Sequence, residues 1–281
     1  AKRHITVIPE IEMPGHSEEV TSAYPEISCS GKAYTDYDFC AGKEATFTFL
    51  QNVLDEVIDL FPSHYIHIGG DEASKGGWHK CADCKKRMES LQLKNVDELQ
   101  SYFINRIEKY VNQRGRQIIG WDEILEGGIT PNATVMSWRG TKGGIEASNR
   151  GFDVIMTPTD YCYFDYCQDP RKQESDEPIC AFWGDLTFEK VYSFNPTEGL
   201  SKEAASHILG AQANVWTEYI PTNEQLEYMI MPRLFSLSEV QWSEMGNKNF
   251  ERFSDRVRTW GFDMLRAKNF NFRNKPAVTQ E

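Results

Sequence analysis

Apolar positions along this chain follow two alternating rhythms. Short runs rich in β-branched or aromatic residues recur at Ile5 to Ile8, Tyr65 to Ile68, Gln117 to Ile119, Thr134 to Met136, Phe152 to Met156 and His207 to Leu209, and each reads as a strand. Between them the spacing turns helical. Across Glu44 to Phe61 the apolar positions are Phe47, Leu50, Leu54, Val57, Ile58 and Phe61, closed by Pro62. Across Val96 to Gln113 they are Leu99, Phe103, Ile107, Tyr110 and Val111, with Gly115 as the stop. Lys142 to Arg150 is a weaker helix, and Glu224 to Val240, with an internal Pro232, and Phe250 to Lys268 read as closing helices. No repeat or linker interrupts the pattern, so one domain over residues 1–281 is expected.

Strands alternating with helices predict parallel strands joined by right-handed crossovers. Each of the six strand candidates ends in polar, aromatic or Gly-rich residues, which fits an α/β chain of the (β/α)8 TIM-barrel class with its chemistry on the loops at the strand C-termini. Six strands are two short of a closed barrel, and the chain starts on a strand without an initiator Met or a signal peptide. The expectation is therefore a partial catalytic barrel whose first two βα units are missing. A doubly wound sheet is the rival, but no GxGxxG or GxxxxGK[ST] loop follows any strand.

Charge and cysteine usage narrow the partners. Thirty Lys and Arg against 42 Asp and Glu leave a formal charge of −12, which repels a phosphate backbone, so no nucleic acid is expected. No apolar run reaches the roughly 20 residues of a membrane helix, so no membrane segment is expected in this chain. Seven Cys lean towards an oxidising compartment, periplasmic or secreted, and the odd total leaves at least one thiol unpaired within the monomer. Cys29 and Cys40 bracket a loop that a bridge could close, while Cys81 and Cys84 form a lone CxxC with only His79 nearby. A structural zinc needs four ligands. The expectation is a local bridge or two free thiols, with no metal and no cofactor.

The sharpest local feature is His67-Ile68-Gly69-Gly70-Asp71-Glu72. Two glycines let a ligand approach the backbone, and like charges as close as Asp71 and Glu72 raise one pKa enough to hold a proton near neutrality. For a bare Asp-Glu pair, capping the next helix is the commoner role. Trp121, Trp138 and Trp216 stand just beyond three strand candidates, and the run Tyr161 to Asp165 beyond a fourth. One such Trp is ordinarily packing. Several at successive strand ends of a barrel would share one mouth, where indole faces suit pyranose rings and Asp165 and Glu218 can accept sugar hydroxyls. Glu10 and Glu12 read mainly as loop structure, Asp122 and Glu123 as supporting or capping groups, and Trp78 and Trp183 as rim packing. His4, His64, His79 and His207 lack metal-ligand spacing, and His67 reads as a satisfied core histidine.

These residues carry a resemblance. Ile8 to His16 (IPEIEMPGH) followed by His67 to Glu72 (HIGGDE) is similar to glycoside hydrolase family 20, the β-N-acetylhexosaminidases. Trp121-Asp122-Glu123, Ser137-Trp138-Arg139, Tyr163-Phe164-Asp165 and Gln212 to Glu218 resemble that family's later motifs, in the same order. The resemblance implies a retaining exo-hydrolase that removes terminal β-linked N-acetylglucosamine or N-acetylgalactosamine from glycans or chitooligosaccharides. Its nucleophile is the substrate's own acetamido oxygen, which gives an oxazolinium intermediate and departs from the usual two-carboxylate scheme. Carried over by position, Glu72 is the general acid and base, Asp71 holds the acetamido N–H, Tyr163 aims its oxygen, and His16 tunes the acid. Trp121 and Trp138 wall the acetamido methyl, Trp216 floors the ring, and Asp165 and Glu218 receive outer hydroxyls. A sugar-binding Arg on the family's first strand, and an acidic partner for the His on its second, have no counterpart here.

Two rivals remain. Gly69 to Glu72 shares letters with the GGDEF nucleotide cyclases, but Ala73 stands where that signature has Phe and the tryptophans would be idle. A non-catalytic, hexosaminidase-like sugar-binding protein is the other, and the intact Asp71–Glu72 pair argues against it.

Overall fold

A computed structural model describes residues 2–128, 132–170 and 177–274. Contacts divide it into two compact units, Ala1–Ser137 with Gly143–Val154, and Trp138–Lys142 with Ile155–Glu281.

The first unit contains α1 (Glu18–Ala23), α2 (Glu44–Leu60), β1 (Tyr65–His67), α3 (Ala82–Leu91), α4 (Val96–Gln113), β2 (Gln117–Trp121), β3 (Thr134–Ser137), α5 (Lys142–Asn149) and the start of β4 (Val154–Met156). The two long helices form where the apolar spacing places them. Each buries one stripe, Phe47, Leu50 and Leu54 on α2 and Leu99, Phe103, Ile107 and Val111 on α4. The stripes meet at Phe47 and Phe103, whose ring centres lie 5.2 Å apart. The Asn95 side chain caps α4 by accepting the Glu98 N–H at 2.9 Å. Strands β1, β2 and β3 pair in parallel, Tyr65 opposite Gln117 and Ile119 opposite Thr134. Ile66, Ile118, Ile119 and Val135 are buried, as befits parallel strands covered by helices.

One strand expectation fails. Residues Ile5 to Ile8 form no strand, and Ile5 and Val7 are 69% and 61% exposed. Pairing to β1 falls later instead: the His67 N–H donates to the Pro9 carbonyl at 2.9 Å, and the Met13 N–H to the Ile68 carbonyl at 3.1 Å. β-Branched residues suit a pleated surface. Hydrogen-bond partners decide which residues take it, and here they lie at Pro9 to Met13.

The second unit holds the rest of β4, then α6 (Thr159–Cys162), β5 (Tyr166–Cys167), β6 (Ala181–Asp185), α7 (Phe188–Ser193), α8 (Lys202–Ala205), β7 (Ile208–Ala211), α9 (Asn223–Ile230), α10 (Arg233–Trp242), α11 (Phe250–Arg256) and α12 (Phe262–Ala267). β7 lies beside β4. The helix expected over Glu224 to Val240 is split into α9 and α10 at Pro232, which has no N–H to donate. A wide turn over Val257–Gly261 joins α11 to α12. Phe188, Tyr192, Phe253, Val257, Phe262 and Leu265 form this unit's aromatic core, with Phe188 stacked on Phe253 at 5.3 Å. The oxidised pair is Cys167–Cys180, and Cys29 and Cys40, whose loop a bridge could close, are both free. Cys162 is the buried leftover thiol, kept protonated by its apolar surroundings.

Arg233, fully buried at the start of α10, organises this unit. Its guanidinium donates to the carbonyls of Tyr166 at 2.9 Å and Leu186 at 3.1 Å, and also to those of Phe164 and Met229. Desolvation pulls its pKa down to about 9, so it stays charged at neutral pH. Replacing Arg233 with Met should strand these carbonyls and destabilise the fold by about 3–5 kcal/mol. Urea unfolding of the two proteins checks this.

Candidate active site

In the first unit the acidic motif sits just past β1. Gly69 has φ +67, and a Cβ there would lie 1.9 Å from Glu12 Oε2, so only glycine permits the turn. Glu72 itself takes a left-handed backbone, φ +47, as does His16 at +48. These unusual conformations bring three groups together: His16 Nε2 lies 3.3 Å from Asp71 Oδ2 and 3.3 Å from Glu72 Oε2. The hydrogen bond to Asp71, then the charges of Asp71 and Glu72, outweigh desolvation and raise the imidazole's pKa to about 9. His16 is therefore cationic at neutral pH and faces Asp71 and Glu72 at once. Asp71 is the more sunken of these, with its side chain 15% exposed against 57% for Glu72.

Behind this trio lie Glu10 and Glu12, which do more than shape the loop. Burial first, then the Asp71 charge and the shared contact with Glu10, push the Glu12 pKa up to about 10. Burial also raises Glu10. Three carboxyl groups this close cannot all be ionised, and Glu12 carries the proton. Glu12, from a different segment, adds a neutral carboxyl beside the Asp71–Glu72 pair. The alternation Glu10-x-Glu12 leading into Pro14-Gly15-His16 was the available signal. Glu10 also accepts the Trp121 indole N–H at 3.1 Å, and Trp121 packs on His67 with ring centres 4.8 Å apart. His67 accepts the Gly69 N–H at Nδ1, 3.0 Å away, and burial lowers its pKa to about 4. It is a neutral core histidine, but not the satisfied one its position inside a strand suggests: the buried Nε2 has no partner among the described residues. Asp122 and Glu123 are buried in the helical turn after Trp121, and Trp78 is a fully buried core residue whose indole donates to the Phe39 carbonyl.

In the second unit Trp138 and Tyr163 stack at 6.4 Å, 29° from parallel. The Tyr163 hydroxyl lies beside the Asn214 and Trp216 side chains, and burial pushes its pKa above the usual phenol value. Asp165 is 3% exposed; desolvation is the main cause that raises its pKa to about 6, and it accepts the Trp216 backbone N–H. Its Oδ1 has no partner among the described residues, although it is buried. Trp216 and Glu218 are exposed. Tyr163, Asp165, Trp216 and Glu218 thus form one polar, aromatic group.

Most of the chain is similar to known proteins. The model of glycosyl hydrolase family 20, catalytic domain, matches residues 1–245. The chain belongs to that family. It is 46% identical over 266 residues to a beta-hexosaminidase of Porphyromonas gingivalis, a match that covers 91% of this chain and 34% of that protein. It is 31% identical over 300 residues to a beta-hexosaminidase of Akkermansia muciniphila, with 100% and 59% covered. The chain therefore spans a third to three fifths of the length of these relatives. Among solved structures, the beta-N-acetylhexosaminidase of Bacteroides fragilis superposes with TM-score 0.82 at 32% identity, over 96% of this chain and 55% of that one. The family 20 exo beta-N-acetylglucosaminidase of Vibrio harveyi, solved with N-acetylglucosamine, gives 0.87 at 28% identity, over 97% and 44%. The fold is that of the family's α/β barrel, as the strand–helix alternation implied. Among the described residues no helix is long and apolar enough to cross a membrane.

A raised pKa means that the His16 contribution to stability is complete below the ordinary imidazole value of about 6.5 and fades as pH rises through about 9. An NMR titration should place the His16 midpoint near 9, and in Asp71→Asn it should fall by a unit or more, about tenfold in proton affinity.

Proposed function

We propose that residues 1–281 act as one catalytic barrel domain of a retaining, exo-acting β-N-acetylhexosaminidase. Its substrates are glycans or chitooligosaccharides ending in β-linked N-acetylglucosamine or N-acetylgalactosamine. Family membership supports the hexosamine-releasing chemistry, and the single observation that carries the mechanism is the division of labour at His16, Asp71 and Glu72. Glu72 is open to solvent, so a leaving oxygen and later a water can reach it. Asp71 is sunken and presents a carboxyl group that suits an amide N–H. A site with one exposed acid and one amide acceptor fits a reaction whose nucleophile comes from the substrate.

In the first step the acetamido oxygen attacks the anomeric carbon, the glycosidic bond breaks, and Glu72 gives its proton to the departing oxygen. Asp71 stabilises the positive charge spread over the oxazolinium ring. In the second step water attacks the anomeric carbon, Glu72 accepts its proton, and the acetamido group is released with the configuration retained. Tyr163 aims the acetamido oxygen, Trp121 and Trp138 enclose its methyl, and Trp216 supports the ring. Asp165, with its unpartnered buried oxygen, and Glu218 accept outer hydroxyls. His16 fixes both carboxylates. The Cys167–Cys180 disulfide supports a periplasmic or secreted setting.

With a chromogenic N-acetylglucosaminide and the full-length protein, Glu72→Gln should lower kcat by about 10²–10⁴-fold and leave N-acetylglucosamine binding intact. Asp71→Asn should cripple the same substrate. Wild-type turnover in either variant refutes the assigned role, and sugar binding without hydrolysis by the unmutated protein would make it a sugar-binding protein instead.

A further inference from the structure

Four of the seven cysteines converge although they come from two distant segments. Cys29 and Cys40 lie between α1 and α2, and Cys81 and Cys84 form the Cys-x-x-Cys that opens α3. All four Sγ atoms lie within 4.8 Å of one another. Cys29 and Cys84 are 3.8 Å apart, Cys40 and Cys81 3.7 Å, and Cys40 and Cys84 3.6 Å. A tetrahedron with zinc–sulfur bonds of about 2.3 Å has sulfur–sulfur edges of about 3.8 Å, whereas a disulfide needs about 2.05 Å. Elsewhere in the chain Cys167 and Cys180 are joined, so the spacing of these four is a distinct arrangement.

The surroundings fit a metal thiolate. Cys40 and Cys84 are fully buried, Cys81 nearly so, and Cys29 forms the half-buried corner. The Gly42 backbone N–H donates to Cys40 Sγ, the kind of outer hydrogen bond that steadies a ligating sulfur. A Cβ at Gly42 would lie 2.3 Å from the Cys84 nitrogen, so glycine lets the two segments close on each other. Cys81 and Cys84 sit at the first turn of the ten-residue α3, whose amide dipoles favour negative sulfur. His79, the neighbour considered in the sequence, is exposed and is not one of the group.

The geometry points to a structural tetrathiolate site that binds one zinc ion through Cys29, Cys40, Cys81 and Cys84. Binding releases the thiol protons to solvent and changes no oxidation state. The site would clamp the segment before α2 to the loop after β1. That same junction is already sewn by Asp38, which accepts the Ser74 N–H at 3.0 Å, the Ser74 hydroxyl at 2.6 Å and the Lys75 N–H at 2.8 Å. Ser74 is two residues past Glu72, so the metal holds the acidic loop without touching substrate.

The full-length protein, purified without a histidine tag, should carry about one zinc per chain by elemental analysis. Cobalt in its place should show the intense thiolate charge-transfer absorption of a tetrahedral site. Cys84→Ser should lose the metal, while Cys162→Ser and His79→Ala keep it; the metal content and cobalt spectrum of the unmutated protein decide the matter if Cys84→Ser fails to fold. Peptide mapping without reductant should find these four cysteines unlinked. Absence of zinc, iron in its place, or Cys29–Cys84 and Cys40–Cys81 disulfides would each overturn the assignment.

Discussion

Charge crowding at the end of β1 is the constraint on which this site rests. Glu10, Glu12, Asp71 and Glu72 are brought there by two separate segments, and carboxylates in that proximity repel one another strongly. The His16 cation and a proton on Glu12 ease it. His16 stays charged because it faces Asp71 and Glu72 together, and Glu12 stays neutral because it is buried against Asp71 and Glu10. Within that arrangement Glu72 is exposed and Asp71 sunken.

Long-range order supports this local balance. Hydrogen bonds from Pro9 to Met13 hold the segment that carries Glu10 and Glu12 onto β1. Lys75 ties the acidic loop outward to Asp97 at 2.7 Å and Glu126 at 3.0 Å. Asp38 and the buried Trp78 fasten its far side. A loop with left-handed residues at Glu72 and Lys75 is held by such bonds rather than by secondary structure of its own.

Some of this was legible in the sequence for plain reasons. α2 and α4 are long, amphipathic and stopped by Pro62 and Gly115, so their apolar stripes identify them almost to the residue. Pro232 marked the break between α9 and α10. Asp71, Glu72 and His16 could be picked out because their motifs are local. The misses share one cause: the deciding partner is remote. Ile5 to Ile8 has the composition of a strand, but pairing depends on where β1 offers its amides. Glu12 looks like a loop acid until Asp71 is folded against it. The cysteine pair at 81 and 84 seemed to lack companions because Cys29 and Cys40 lie 41 to 55 residues upstream.

Arg233 carries an implication for how the second unit is made. The carbonyl of Phe164, between Tyr163 and Asp165, finds its guanidinium 69 residues further along the chain. During synthesis the nascent polypeptide therefore displays this aromatic stretch well before the group that anchors it has left the ribosome. Until α10 emerges, the Phe164 and Tyr166 carbonyls lack the guanidinium that gathers them in the folded chain.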